Sequence, residues 1–316
     1  MVFQTNFRSF IFIFTVLLSM GSCKEKQEEI ASVTSETASN SEFGKEEARP
    51  LSEDFKKYWF AGEAEITSYR LEQARYGEIR DGEAVLIFVT EPFVPEKQVK
   101  ADQSSPSNVS VLKLNATKNF LTGIYPYSIM SSTFYPVADN QHAIKVTSSI
   151  QEWCGQVYAQ LNNREEFEIQ SFSYFEAEGD QKLKLQKNNL ENEIWSRLRI
   201  NPEALPKGEI NMIPSLEYLR LVHQPIQAYK AVAKIEKNDE RSVYTLTYPE
   251  LQRELKITFN SSFPHEIQAW TDTYPSGFGP SPKILTTKAT KIESLKTPYW
   301  RRNGNEDVSL RDSLGI

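Results

Sequence analysis

The sequence predicts a β-rich domain, all-β or α+β, in which a strongly curved antiparallel sheet or half-barrel carries one amphipathic helix. Three features lead there. Aromatic residues form 12% of the chain, mostly Phe and Tyr, which suit a pleated, half-buried surface. Apolar and polar residues alternate in many short runs bounded by turn signals, with no strand–helix–strand alternation that would build a parallel sheet. A single segment, from Leu190 to Leu198, spaces its apolar residues at helical intervals instead.

The folded part is expected as one β-rich domain over residues 51–300, followed by a polar C-terminal tail at 301–316. Asp54 to Phe60 is aromatic and reads as an edge element or short helix. Glu63 to Tyr76 alternates imperfectly, and Arg80-Asp81-Gly82-Glu83 reads as a turn. Ala84 to Val89 is a continuous apolar run of strand length ended by Pro92 and Pro95, so the whole stretch reads as a hairpin. Val109 to Thr117 resumes the alternation after a polar loop. Ala143 to Leu161 has the clearest rhythm: Ile144, Val146, Ser148 and Ile150, then Trp153, Gly155, Val157, Ala159 and Leu161, oppose a polar face that includes Cys154. Phe167 to Phe175 and a returning strand through Leu183 and Leu185 follow, turned at Glu178-Gly179-Asp180. After the helix come strands at Ala228–Ile235, Val243–Tyr248, Leu255–Phe259 and Glu266–Thr273, then a proline-bracketed loop from Tyr274 to Pro282.

In the helical segment Leu190, Ile194 and Leu198 lie four residues apart, with Asn188 or Asn189 as cap. Glu191 and Glu193 near its start and Arg197 and Arg199 near its end agree with the helix dipole, and Asn201-Pro202 stops it. The apolar parity of Ile144, Val146, Ile150, Trp153 and Val157 predicts that these residues, with Leu198 of the helix, face a small hydrophobic ligand on the concave side. The helix would cross that face as a plug or a lid. A helix that fills the concavity completely leaves a solid core, the arrangement that close packing favours.

The start of the chain predicts where the protein resides. Phe10 to Leu18 is an apolar run preceded only by Arg8 and too short for the roughly 30 Å hydrocarbon core of a bilayer. It reads as a signal peptide over residues 1–22. Ser19-Met20-Gly21-Ser22-Cys23 resembles the lipobox of bacterial lipoproteins, with Met20 where leucine is usual, so Cys23 is the expected lipidation site. Residues 23–50 then hold the lipidated cysteine and a disordered polar tether, reaching about 30 Å as a flexible coil. The expected location is the cell envelope, lipid-anchored at the outer membrane of a Gram-negative bacterium. The net charge of −6 argues against a nucleic-acid partner. With Cys23 acylated, Cys154 has no partner for an internal disulfide.

No catalytic constellation, metal site or cofactor motif emerges. His142, His223 and His265 are far apart and none stands at helical spacing from another ligand. Cys154 has no basic neighbour and reads as a small strand residue rather than a nucleophile. Gly277-Phe278-Gly279 lies in a loop, outside the strand-to-helix context of a nucleotide fingerprint. Tyr58 to Glu65, Gly123 to Met130 and Ser148 to Gly155 resemble segments of a family of uncharacterised bacterial envelope lipoproteins, some of which carry the label septum formation inhibitor Maf. The resemblance covers most of residues 55–275 and implies an envelope location without catalytic residues to carry over. Maf nucleotide pyrophosphatases have a Ser-x-Ser-x-x-Arg loop near their start, which this chain lacks. The expected function is a membrane-anchored binding or scaffold module for an envelope protein or a small hydrophobic ligand. The alternative is a hydrolase of envelope material.

Acylation is directly measurable. Cells grown with labelled palmitate should label the wild-type protein and leave Cys23→Ala unlabelled; equal labelling of both excludes Cys23 as the acceptor.

Overall fold

A computed structural model describes residues 47–279 and 281–316. The signal peptide, Cys23 and the tether up to residue 46 lie outside the described residues. The chain runs through α1 (Glu53–Trp59), β1 (Ala64–Arg75), β2 (Glu78–Val94), β3 (Val99–Lys100), β4 (Val109–Thr122), β5 (Tyr125–Pro136), β6 (Lys145–Glu152), β7 (Gly155–Asn163), β8 (Phe167–Ser173) and β9 (Gln181–Leu185). It continues with β10 (Asn189–Leu190), α2 (Glu191–Ile200), β11 (Gly208–Ile213), α3 (Leu216–Leu221), β12 (Tyr229–Lys237), β13 (Arg241–Tyr248), β14 (Arg253–Asn260), β15 (Ile267–Ser276), β16 (Lys283–Thr297) and α4 (Ser309–Ser313).

All strands join one open sheet of 16 strands that does not close into a barrel, so the fold is β-rich as the alternation predicts. From one edge the order is β9-β8-β7-β6-β5-β4-β2-β1-β16-β15-β14-β13-β12-β11-β10, with β3 beside β2. Among the described residues only the short β10–β11 pair is parallel. Two meanders are thus sewn together at β1–β16, where the first and last long strands meet. Leu86, Leu114, Ile129 and Val146 of one meander share a single core with Leu246, Leu255 and Ile257 of the other. Leu190, Ile194 and Leu198 of the α2 segment belong to the same core.

The helix thus packs into the shared core of the sheet, and Leu198 is fully buried. Its charged residues do more than complement a dipole. Arg199 donates from both terminal nitrogens to Glu65 at 2.6 and 2.7 Å, with its guanidinium 4.9 and 4.8 Å from the ring centroids of Trp59 and Phe88. Glu191 accepts from Arg253 at 2.7 and 2.8 Å and from the Tyr248 hydroxyl at 2.7 Å. Glu193 accepts from the Ala143 amide at 2.9 Å and lies 2.9 Å from His142 Nδ1. Burial alone would raise the pKa of Glu65. The charge and hydrogen bonds of Arg199, helped by Tyr58, outweigh burial and hold it below the ordinary value. At Glu193 burial acts in the same direction, and His142, Arg197 and the Ala143 amide reverse it.

Several expected boundaries move, each for a local reason. The β1–β2 turn is at Tyr76-Gly77, both with positive φ, and β2 runs straight through 80–83. Gly82 serves a close approach rather than a turn, since a Cβ there would lie 2.3 Å from the Asn119 carbonyl oxygen of β4. Pro92 lies inside β2, beyond the last β1 pairing at Phe88, where its missing N–H interrupts no ladder on that side. The β6–β7 rhythm is a hairpin whose turn is Trp153-Cys154, so neither residue stands mid-strand. β15 extends to Ser276, into the expected loop. The C-terminal stretch packs on the sheet: Leu314 is buried against Ile66 and Val85, and Ser68 donates to its carbonyl.

Removing one member of the Glu65–Arg199 pair should be costly because the other charge stays buried. Glu65→Ala or Arg199→Ala is expected to lose about 3–5 kcal/mol in urea unfolding. The Glu65→Ala/Arg199→Ala double variant should lose clearly less than the sum of the singles; strict additivity would show that the pair is not coupled.

Candidate ligand-binding groove

A row of small side chains crosses the inner face of the first meander. Ser131, Ser148, Ala159 and Ser171 are successive register partners on β5, β6, β7 and β8. The rows beside them are larger, with Ile129, Ile150 and Val157 on one side and Val146, Leu161 and Ile169 on the other. The small row therefore forms a trough. α3 roofs it: Ser215 caps this helix by accepting from the Tyr218 amide, and the Leu216 amide donates to Asn192 of α2 at 3.3 Å. Between floor and roof lies a cavity of about 220 Å³ lined by Ile150, Val157, Ala159, Leu216, Leu219 and Ile226 among others.

The mouth of this groove is polar. Glu178 accepts from Arg220 at 3.0 Å and from the Ser173 hydroxyl at 2.9 Å, and lies 2.9 Å from His223 Nδ1. It thus ties the β8–β9 connection to the end of α3. His223 also lines a second cavity of about 430 Å³, formed by the β1–β2 turn, the end of α3 and the β15–β16 loop. The same end of the sheet carries exposed large side chains on its connections: Ile124 (84%), Trp153 (69%), Tyr174 (76%) and Phe278 (73%). Exposed apolar groups gathered at one end mark an interaction surface more often than a merely solvated one.

Arg75 lines the second cavity and is 8% exposed. It donates to the Leu221 carbonyl at 2.5 Å and to the Tyr76 and Tyr127 hydroxyls at 3.1 and 3.0 Å. The Tyr76 and Tyr127 ring centroids lie 4.1 and 5.1 Å from the guanidinium. Such ring contacts contribute about 0.5–2 kcal/mol. Desolvating a charge costs several kcal/mol, so the rings offset only part of it.

A smaller polar cavity of about 60 Å³ lies between α2 and the sheet and contains Glu191, Asp272, Glu217, Lys118 and Arg253 in its lining. Its carboxylates are committed. Glu191 and Asp272 take two separate edges of Arg253, and Glu217 pairs with Lys118 at 2.5 Å. Burial keeps Asp272 above its ordinary pKa despite Arg253.

The residues predicted to face a ligand separate in the structure. Ile150 and Val157 line the groove, with Ala159 beside them. Val146 and Leu198 lie in the solid core. Ile144 packs apart from it with Phe93 and Val111, and Trp153 stands exposed at its hairpin turn, 6.4 Å from the Tyr125 ring. Cys154 is exposed beside Glu152, whose hydrogen bond and charge push the thiol pKa up, the reverse of nucleophile activation. Among the described residues no cluster of three or more His, Cys, Asp or Glu side chains is placed to hold a metal, and no helix is long and apolar enough to cross a membrane. Comparison with protein-family models, with curated proteins and with solved structures finds no match to this chain.

The Glu178 contacts predict a local effect. Glu178→Ala should increase hydrogen exchange at residues 219–224 while global stability falls by no more than about 1 kcal/mol, the scale of a partly solvated ion pair. A larger global loss with unchanged local exchange would assign Glu178 to the core.

Proposed function

We propose that the protein is a lipid-anchored envelope protein that binds a small hydrophobic ligand in the groove beneath α3. The observation that carries this reading is the trough of Ser148, Ala159 and Ser171, walled by Ile150 and Val157 and covered by Leu216 and Leu219, which leaves about 220 Å³ where a core would otherwise close. A concave site with an apolar floor and a few polar groups at its mouth is the usual form of a small-molecule site. The aromatic and aliphatic side chains on the nearby connections give an apolar ligand or a bilayer surface something to meet at the groove's end. Anchoring at Cys23 at the outer membrane, and an envelope location, rest on the signal peptide, the lipobox resemblance and the resemblance to envelope lipoproteins. The hydrolase alternative needs carboxylates free to exchange protons with a substrate. Glu191, Asp272 and Glu217 are each held by a cation, which disfavours that chemistry.

Native mass spectrometry tests the reading on the full chain carrying Cys23→Ser, purified without detergent. A small apolar adduct should accompany the protein and be lost in Ala159→Trp, which fills the trough. Absence of an adduct, together with failure to take up an added long-chain alcohol, would overturn the proposal.

A further inference from the structure

We propose that Arg75 anchors an oxyanion, a carboxylate or phosphate, at the polar end of the ligand that occupies the groove. The inference rests on the groove as an apolar-ligand site and adds the class of ligand: an amphipath with an anionic head.

The argument begins with how this chain treats its other inward-facing arginines. Arg199 meets Glu65, Arg253 meets Glu191 and Asp272, and Arg220 meets Glu178. Each guanidinium has a carboxylate within hydrogen-bonding distance. Arg75 is comparably buried, yet its acceptors are a carbonyl and two phenols, all neutral. Among the described residues no carboxylate pairs with it. A buried positive charge left without a counter-charge is expensive unless something supplies one.

The surroundings suit an incoming anion. No Asp or Glu is among the residues that line the 430 Å³ cavity beside Arg75. The Ser276 hydroxyl lines it too; its oxygen accepts from the Gly77 amide, which leaves its proton to donate. The Leu221 carbonyl and the Tyr76 and Tyr127 hydroxyls hold the guanidinium in place and take three of its five N–H groups, which leaves Nε–H and one Nη1 hydrogen to donate to a carboxylate or phosphate oxygen. His223 lines both this cavity and the groove, so the two spaces meet at its side chain. A ligand with its tail against Ile150 and Val157 would need its head to pass His223, the residue that borders both spaces, to reach Arg75.

Isothermal titration of the full chain carrying Cys23→Ser, with dodecanoate, dodecanol, acetate and inorganic phosphate as separate titrants, tests this. Dodecanoate should bind about tenfold tighter than dodecanol, an advantage of about 1.4 kcal/mol. Arg75→Gln should erase that advantage while leaving dodecanol binding unchanged. Equal affinity for dodecanoate and dodecanol in the protein with Arg75 intact overturns the oxyanion site, however the variant folds, and leaves the groove reading standing. Arg75-dependent binding of acetate or phosphate, with neither dodecyl compound bound, sustains the oxyanion site as one for a free anion and overturns the groove reading. Binding of none of these compounds overturns both.

Discussion

Arg199 reaches from α2 to Glu65 near the start of β1, and the seating of the helix in the sheet depends on that contact. An open sheet of this width has a concave face that must be covered, and the covering element brings carboxylates and guanidiniums into the core with it. Those charges are tolerated because each finds a partner on the sheet or at its margin: Glu65 on β1, Arg253 on β14, and the Ala143 amide just before β6. The apolar stripe alone would let the helix slide or rotate against a mostly apolar wall. Partners placed on both meanders fix its position, as buried polar pairs do where register must be unique.

The helix divides the concave side into a solid part and a hollow part. Under α2 the large residues interlock around a small cavity of about 60 Å³. Beyond its end, the cover passes to α3, six residues long, lying over a floor of serines and alanine. A shorter cover over smaller side chains leaves space, so the groove comes from a mismatch in size between two layers rather than from a dedicated loop. Arg199 and Arg253 find their carboxylates in the solid part, and Arg220 finds Glu178 at the mouth of the hollow one.

Much of the fold was legible because period and parity are local properties. The strands from Ala228 to Thr273 and the β6–β7 rhythm lie where alternation places them, and Leu190, Ile194 and Leu198 form the buried stripe expected of a helix. β16 escaped notice because both of its faces are largely polar, with Lys, Thr and Glu on the exposed side and Thr287 and Ala289 among its few buried positions. α3 is too short for a period to show, although Ser215 ahead of Leu216 and Leu219 is a cap signal of the right kind. Gly82 misled because glycine signals a turn and a close backbone approach equally well. Of the site, Ile150 and Val157 were visible as apolar parity. Arg75, His223 and Ser276 were not, because they stand at the end of β1, just after α3 and at the end of β15, and their meeting depends on the β1–β16 seam.

That seam also sets the order in which the molecule can assemble. Thr67 and Ser294 bring their hydroxyls to 3.0 Å across 227 residues of chain, near the middle of the sheet rather than at its margin. Contacts between such distant segments form slowly, because the intervening chain must be ordered or looped before they are rewarded. Until β16 is present, β1 offers an unpaired edge and Tyr69 lacks the Ile267 carbonyl that its hydroxyl meets in the finished fold. The core of the leading meander therefore closes only once β16 is in place, and a molecule that has not yet placed that strand presents an open seam in the middle of its sheet.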